Sequence, residues 1–412
     1  MRLSIPRTRQ FWSVGLAHMT NDIFMSGGIV LLTFLSGGLV PMSNTEIGFA
    51  VSAKQLAGAL SQPVFGLMAD RRGGRWLGVA GLTFTVSMFI LSIVMAVTTR
   101  DYWLMLIPFI LQGIGSGAVH PVGMLNTAES DKSRVASNMS YFFLMGQMGL
   151  ALGPALIGLL LDAANATPLT VVTGAVAMPG VFTLQSNVMP LYALLLIALP
   201  PLAMMARSIP IRAAEKRERK VVDPDAPRIP WWRVAAPFAV IGFLVLLRAL
   251  ANPGSVNFIP VLFQQKGWTP AEYGLITSLF WVASGISGVV FGNLADRYDR
   301  RWVMMASMSL AAPTFFLLPL SDGLIALVLA VAAGGLSGGA HSIIVVLTQD
   351  LIPASKGFAG GAILGFIFGT GALGSLLIGS LSDSIGLGTT FQMVAFASLG
   401  SGLIALLLPR RS

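Results

Sequence analysis

No cysteine occurs among the 412 residues, so disulfides, thiolate nucleophiles and thiolate metal ligands are excluded. Histidine is scarce too, at three residues; that leaves few ligands for a transition metal, and no metal site is expected. Charged side chains make up 10% of the chain, where soluble domains carry roughly a quarter. A content that low excludes an ordinary soluble globular protein. The glycine-rich run 146–158 lacks the Gly-Lys-Ser/Thr ending of a phosphate-binding loop, so nucleotide hydrolysis has no support. No nucleophile–base–orienter pattern stands out either. Neither an enzyme nor a cofactor is expected.

What fills the chain is apolar. Hydrophobic residues reach 55%, the mean hydropathy is +0.78, and there are 46 glycines. Stretches of about 20 apolar residues, long enough to cross a hydrocarbon core, recur over the whole length. Twelve spans can be drawn: 11–39, 46–69, 76–98, 102–126, 135–161, 187–206, 234–263, 271–293, 302–320, 323–347, 357–382 and 387–408. The first is too long for a cleavable signal core and carries His18, Asn21 and Asp22. The expected class is an all-α membrane protein.

A net charge of +9 and a pI near 10.3 would suit nucleic acid, yet the positions of the charges argue otherwise. All but four of the 26 Lys and Arg fall in the tails or in even-numbered connections, the exceptions being Lys54, Arg100, Arg248 and Lys266. That asymmetry predicts cytoplasmic termini. The expected surroundings are a lipid bilayer, the inner membrane of a bacterium, and not nucleic acid. Residues 207–233 read as a basic linker between two six-span bundles, 1–206 and 234–412. A short helix over 212–220 would lie on anionic headgroups. The β-prone loop 162–186 predicts a small hairpin outside the membrane.

The two bundles share a repeat. The pairs His120/His341, Glu129/Asp350, Gly153/Gly374, Gly158/Gly379 and Asp162/Asp383 all keep one constant offset in the numbering. The segments Gly66-Leu-Met-Ala-Asp70-Arg71-Arg-Gly-Gly-Arg75 and Gly292-Asn-Leu-Ala-Asp296-Arg297-Tyr-Asp-Arg300-Arg301 match at a second, slightly larger offset. Such a duplication in an apolar chain predicts two homologous bundles with a site between them, the architecture of a carrier.

With these loops the chain resembles the major facilitator superfamily over nearly its whole length. Gly66, Asp70, Arg71, Gly74 and Arg75 fill that family's loop motif between spans two and three, with one residue of slack. The copy from Gly292 to Arg301 has Asp299 where glycine is usual. Span five carries Gly149-Leu-Ala-Leu-Gly153-Pro154, similar to the glycine–proline motif of the family's exporters. Two shorter strings, His18-Met-Thr-Asn21-Asp22 and Gly115-Ser-Gly-Ala-Val-His120-Pro121, resemble the fosmidomycin-resistance group of exporters; Val122 follows where that group usually has an acidic residue. The resemblance implies twelve transmembrane helices in two pseudo-symmetric bundles, working by alternating access.

Several residues invite chemistry. Asp22 lies near the middle of span one, where an ionised carboxylate costs roughly 3 kcal/mol or more. It is the candidate proton carrier; the duller reading is a structural carboxylate paired with Arg248 or His18. His18 shares its helix face at i, i+4, whereas Asn21 is turned about 100° away. Arg248, deep in span seven, needs an anionic partner, a wet cavity or a substrate. Lys54 either faces the cavity or snorkels. His120 and His341 take matching places in spans four and ten, either as substrate or proton contacts or as hydrogen bonds between helices. Candidate substrate contacts are thus His18, Asn21, Lys54, His120, Arg248 and His341. Asp70, Arg71 and Arg75, with Asp296, Arg297 and Arg301, are candidate gating groups that latch the bundles. The aromatics Phe142, Phe143, Phe280, Trp281, Phe366 and Phe368 are expected to pack.

The expected function is secondary transport: proton-coupled efflux of a small anionic or amphiphilic compound such as a phosphonate. Proton symport of an organic anion inward, and a sensor reusing the fold, are the alternatives. A monomer is expected.

Overall fold

In hydrocarbon a backbone amide finds no water, so an apolar stretch satisfies its own hydrogen bonds and becomes a helix. The computed structural model describes residues 5–72, 74–166, 189–211, 231–351 and 356–408. The hairpin expected over 162–186 and the helix expected over 212–220 lie almost wholly outside them. Among the described residues there are helices and no strands.

Among the described residues six α-helices open the chain: α1 (Arg9–Ser36), α2 (Asn44–Arg72), α3 (Arg75–Thr99), α4 (Tyr102–Ser130), α5 (Val135–Ala166) and α6 (Leu194–Ser208). The seventh span is broken. α7 (Trp231–Ala249) gives way to a π turn at Leu250–Gly254 and a 3-10 turn at Ser255–Phe258, then resumes as α8 (Ile259–Gln265). Asn252 there is extended, with φ −156° and ψ 117°, and Pro253 has no N–H to continue the ladder. After α9 (Pro270–Arg297) and α10 (Arg300–Leu317), the tenth span divides at Gly339 into α11 (Gly323–Gly338) and α12 (Ala340–Leu351). α13 (Lys356–Ile385) and α14 (Leu387–Ala405) close the series. The fold is that of twelve membrane spans. Among the described residues eleven qualify by length and apolarity; α2, diluted by Glu46, Lys54, Gln55 and Gln62, is the polar twelfth.

Their ends are capped as the sequence repeat requires. Ser43 and Glu46 form a reciprocal cap at the start of α2, with N–H to carboxylate at 2.8 Å and N–H to hydroxyl at 3.2 Å. Thr269 and Glu272, their counterparts in the repeat, do the same for α9 at 2.7 and 3.4 Å. Asp101 caps α4 through the Leu104 amide at 2.8 Å.

The chain forms two compact units: Met1–Ala214 with Phe263–Ser278, and Glu215–Leu262 with Leu279–Ser412. In the first, α1 packs on α5 and α4, and α4 also receives α2 and α3. Phe11, Phe24, Phe89, Phe109 and Phe142 fill its interior. The segment 263–278 joins this unit near Pro154, where the Ala155 amide donates to Ser278 Oγ at 2.9 Å. In the second, α10 packs on α14 and α11, and α7 on α14 and α13, around Phe258, Phe280, Phe315 and Phe391. Leu60, Leu324, Ile325, Phe396 and Leu407 stay exposed, an apolar exterior suited to acyl chains.

Candidate functional site

In the first unit the middle of α1 carries a polar face, His18, Asn21 and Asp22, each at most 6% exposed. α5 approaches this face most closely at two glycines, Gly146 and Gly149. A Cβ on Gly146 would collide with the His18 imidazole, and one on Gly149 with the Met19 carbonyl. Glycine is needed at both because the two helices nearly touch.

Asp22 is the centre. Its Oδ2 lies 3.3 Å from His18 Nε2 and its Oδ1 3.6 Å from His120 Nε2, which arrives from α4. The two imidazoles meet edge to face, centroids 4.9 Å apart. Asn21 Nδ2 donates to Asp22 Oδ1 and to Ser116 Oγ, both at 2.9 Å, and Asn21 Oδ1 accepts from Thr85 at 3.4 Å. Asn21 therefore joins the cluster although its helical position points away; the amide turns back along the helix.

The far nitrogens of both rings decide the chemistry. His18 Nδ1 lies 2.9 Å from the Phe142 carbonyl and His120 Nδ1 2.9 Å from the Ser116 carbonyl. A carbonyl only accepts, so each Nδ1 must carry a hydrogen. In a neutral ring Nε2 is then a bare lone pair. Two bare lone pairs facing a carboxylate repel it unless a proton lies among them, on an Nε2 or on Asp22. The geometry thus leaves a place for one proton among Asp22, His18 and His120. Its three ligand atoms also lie within 4.8 Å of one another, a spacing that a metal ion can bridge; three donors stop one short of a closed tetrahedral set.

Lys54 stays outside this cluster. It is 3% exposed and does not snorkel: Nζ donates to the Met25 carbonyl at 2.9 Å and lies over the Phe109 ring at 4.4 Å. Phe142 packs as expected, but against His18, with centroids 4.2 Å apart and planes at 21°.

In the second unit Arg248 is 3% exposed, just before the break in span seven. Its Nη1 donates to the Asn252 carbonyl at 3.3 Å, while buried Nε has no partner. Asn252 Nδ2 donates in turn to Ser284 and Ser337, each at 3.3 Å. His341 lies near the start of α12, four residues after Ser337.

The candidate gating residues lie at helix ends. Asp70, Arg71, Asp296 and Arg297 are exposed at the C-termini of α2 and α9. Arg75 Nε donates to the Ile209 carbonyl. Arg301 grips Asp299, Nη2 to Oδ2 at 2.7 Å, and Asp299 also caps α10. The residue that departs from the family's glycine thus acquires a role of its own.

Ser116, Asn252, Ser284 and Ser337 were not singled out from the sequence. Asn252 had a signal in the helix-breaking Asn-Pro-Gly run; Ser116 stood inside the quoted glycine string.

A family model described as Major Facilitator Superfamily matches residues 12–203 and 239–412. The chain belongs to the Major Facilitator Superfamily. It is a multi-pass membrane transporter of small molecules rather than an enzyme. The chain is 25% identical over 402 residues to the fosmidomycin resistance protein of Escherichia coli (strain K12), covering 96% of this chain and 92% of that one. It is equally similar, at 25% over 398 residues, to an uncharacterized MFS-type transporter, YfnC, of Bacillus subtilis (strain 168), covering 96% and 91%. Among solved structures, a bacterial homolog of the human lysosomal transporter Spinster aligns with TM-score 0.73 at 15% identity, covering 97% and 96%. The nucleoside transporter NupG, as a point variant, aligns with TM-score 0.72 at 13%, covering 97% and 99%. At these identities the structures speak for the fold alone.

Proposed function

We propose that this superfamily member is a proton-coupled secondary transporter that exports a small anionic or amphiphilic compound by alternating access. The observation that carries the reading is the His18–Asp22–His120 cluster, whose ring tautomers need a proton among the buried Asp22 and His18 and the half-buried His120. Asp22 carries that proton, and the two imidazoles deliver and receive it. Arg248 and His341, with His18, Asn21, His120 and Lys54, contact the substrate. The Asp70–Arg71 and Asp296–Arg297 pairs, with Arg75 and Arg301, gate. The chain works as a monomer in a bacterial inner membrane with both termini cytoplasmic. Efflux of an antibiotic-like compound is supported by the similarity to the fosmidomycin resistance protein of E. coli.

The test is fosmidomycin movement in proteoliposomes of known orientation under an imposed pH gradient, wild type beside Asp22→Asn. Wild type should move the compound against proton flow, while Asp22→Asn loses gradient-driven flux and retains counterflow exchange. Movement in the direction of proton flow would make the carrier a symporter. Undiminished gradient-driven flux in Asp22→Asn would remove the proton role.

A further inference from the structure

The repeat places Asp22 and Arg248 at equivalent positions. Their offset in the numbering is the one that also relates Gly28 to Gly254, Asp70 to Asp296, and the capping residues Glu46 and Glu272. Packing repeats with them. A Cβ on Gly153 of α5 would strike the Ile23 carbonyl, one residue after Asp22; a Cβ on Gly374 of α13 would strike the Ala249 carbonyl, one residue after Arg248. Gly153 and Gly374 are themselves partners in the repeat, at the same offset as His120 and His341. The tenth span matches the fourth as well: Ser116 and Ser337 each accept from an asparagine amide, and each stands four residues before its histidine, His120 or His341. One framework has therefore been built twice, with a carboxylate in the first copy and a guanidinium in the second.

The consequence follows from charge. In the first copy the carboxylate has two imidazoles, and Lys54 is buried in the same unit. The offset that pairs Asp22 with Arg248 pairs Lys54 with Phe280, so the second copy has no counterpart of that ammonium. Among the described residues no carboxylate lies within ion-pair distance of Arg248, and its Nε is buried without a partner. A guanidinium remains charged throughout the physiological range, so burying it without an anion is costly. Its planar fork matches the two oxygens of a carboxylate or phosphonate.

We propose that Arg248, with Asn252, forms an oxyanion-binding site within the second unit. There the carboxylate or phosphonate group of the transported compound becomes the counter-ion that the described residues do not supply. This rests on the transport reading above and gives the duplicated framework two tasks, proton in the first copy and oxyanion in the second.

The experiment needs no gradient, so failure of proton coupling leaves its outcome intact. Full-length protein in detergent is titrated calorimetrically with phenylphosphonate, benzoate and benzyltrimethylammonium, three probes of similar size and different charge. The two oxyanions should bind wild type, and the cation should not. Arg248→Gln should weaken oxyanion binding by at least about tenfold, in line with the loss of a charge-assisted bidentate contact. Arg248→Lys, which keeps the charge and loses the fork, should fall between. Unchanged oxyanion affinity in Arg248→Gln, or binding of the cation alone, overturns the proposal. If Arg248→Gln does not accumulate in folded form, Arg248→Lys decides, and wild-type phenylphosphonate affinity in it is the overturning result.

Discussion

Asp22 and Lys54 are both buried ionisable groups of the first unit, and their surroundings could hardly differ more. Asp22 has two imidazoles and an amide. Lys54 has one carbonyl and the face of a phenyl ring. A buried ammonium with so little compensation is retained at the expense of stability, because desolvation outweighs one neutral acceptor. Lys54→Met keeps the stem and removes the charge, so it should raise the thermal unfolding temperature, by roughly 1–4 kcal/mol of stability. An unfolding temperature below wild type would mean that the Met25 bond outweighs desolvation. At this scale the sequence revealed identities and depth. Asp22 and His18 were readable as one pair from i, i+4 spacing. His120 as the second partner was not, since the contact joins residues far apart in the chain and depends on how α4 packs on α1. The ring tautomers were out of reach as well, because they are set by carbonyls of Phe142 and Ser116.

Helices that carry such a cluster must approach closely, and α5 does so through small residues. Gly149 has the Met19 carbonyl where its Cβ would stand, and both helices are long and held along their length, so neither can step aside. Gly149→Ala should destabilise the protein by about 1–3 kcal/mol, the usual range for overpacking, and should lower transport by displacing Asp22. Gly365→Ala in α13 is the comparison, since a Cβ there meets nothing within 4 Å. It should be neutral or stabilising by up to about 1 kcal/mol, reflecting helix propensity alone. Equal unfolding temperatures for the two variants would count against the close-approach argument. The spans themselves were legible because hydrocarbon demands long apolar runs. Hydropathy does not register a backbone break, however, so span seven read as one continuous stretch over 234–263. Asn252-Pro253-Gly254 marked the break locally, and the absence of a Pro253 N–H explains it.

For the molecule as a whole, the repeat is the property that the sequence exposed most fully, because matching residues keep two constant offsets along the chain. Its charge inversion was legible in the same arithmetic once Asp22 and Arg248 were placed in one register. Charge outside the spans carries a separate message. Arg71, Arg75, Arg134, Arg297, Arg300 and Arg301 all lie at the same ends of successive helix pairs: α2 with α3, α4 with α5, and α9 with α10. The opposite ends hold Arg100 and Lys266 alone. Translocating a cluster of arginines is disfavoured, so the arginine-rich ends should remain in the cytoplasm together with both tails. Alkaline phosphatase, active only outside the cytoplasm, should therefore be silent when fused after Ser412 or after Arg134. It should be active when fused after Arg100 or Lys266. Activity at Ser412 would invert the topology, and the Asp70–Arg71 and Asp296–Arg297 pairs would then face the opposite compartment.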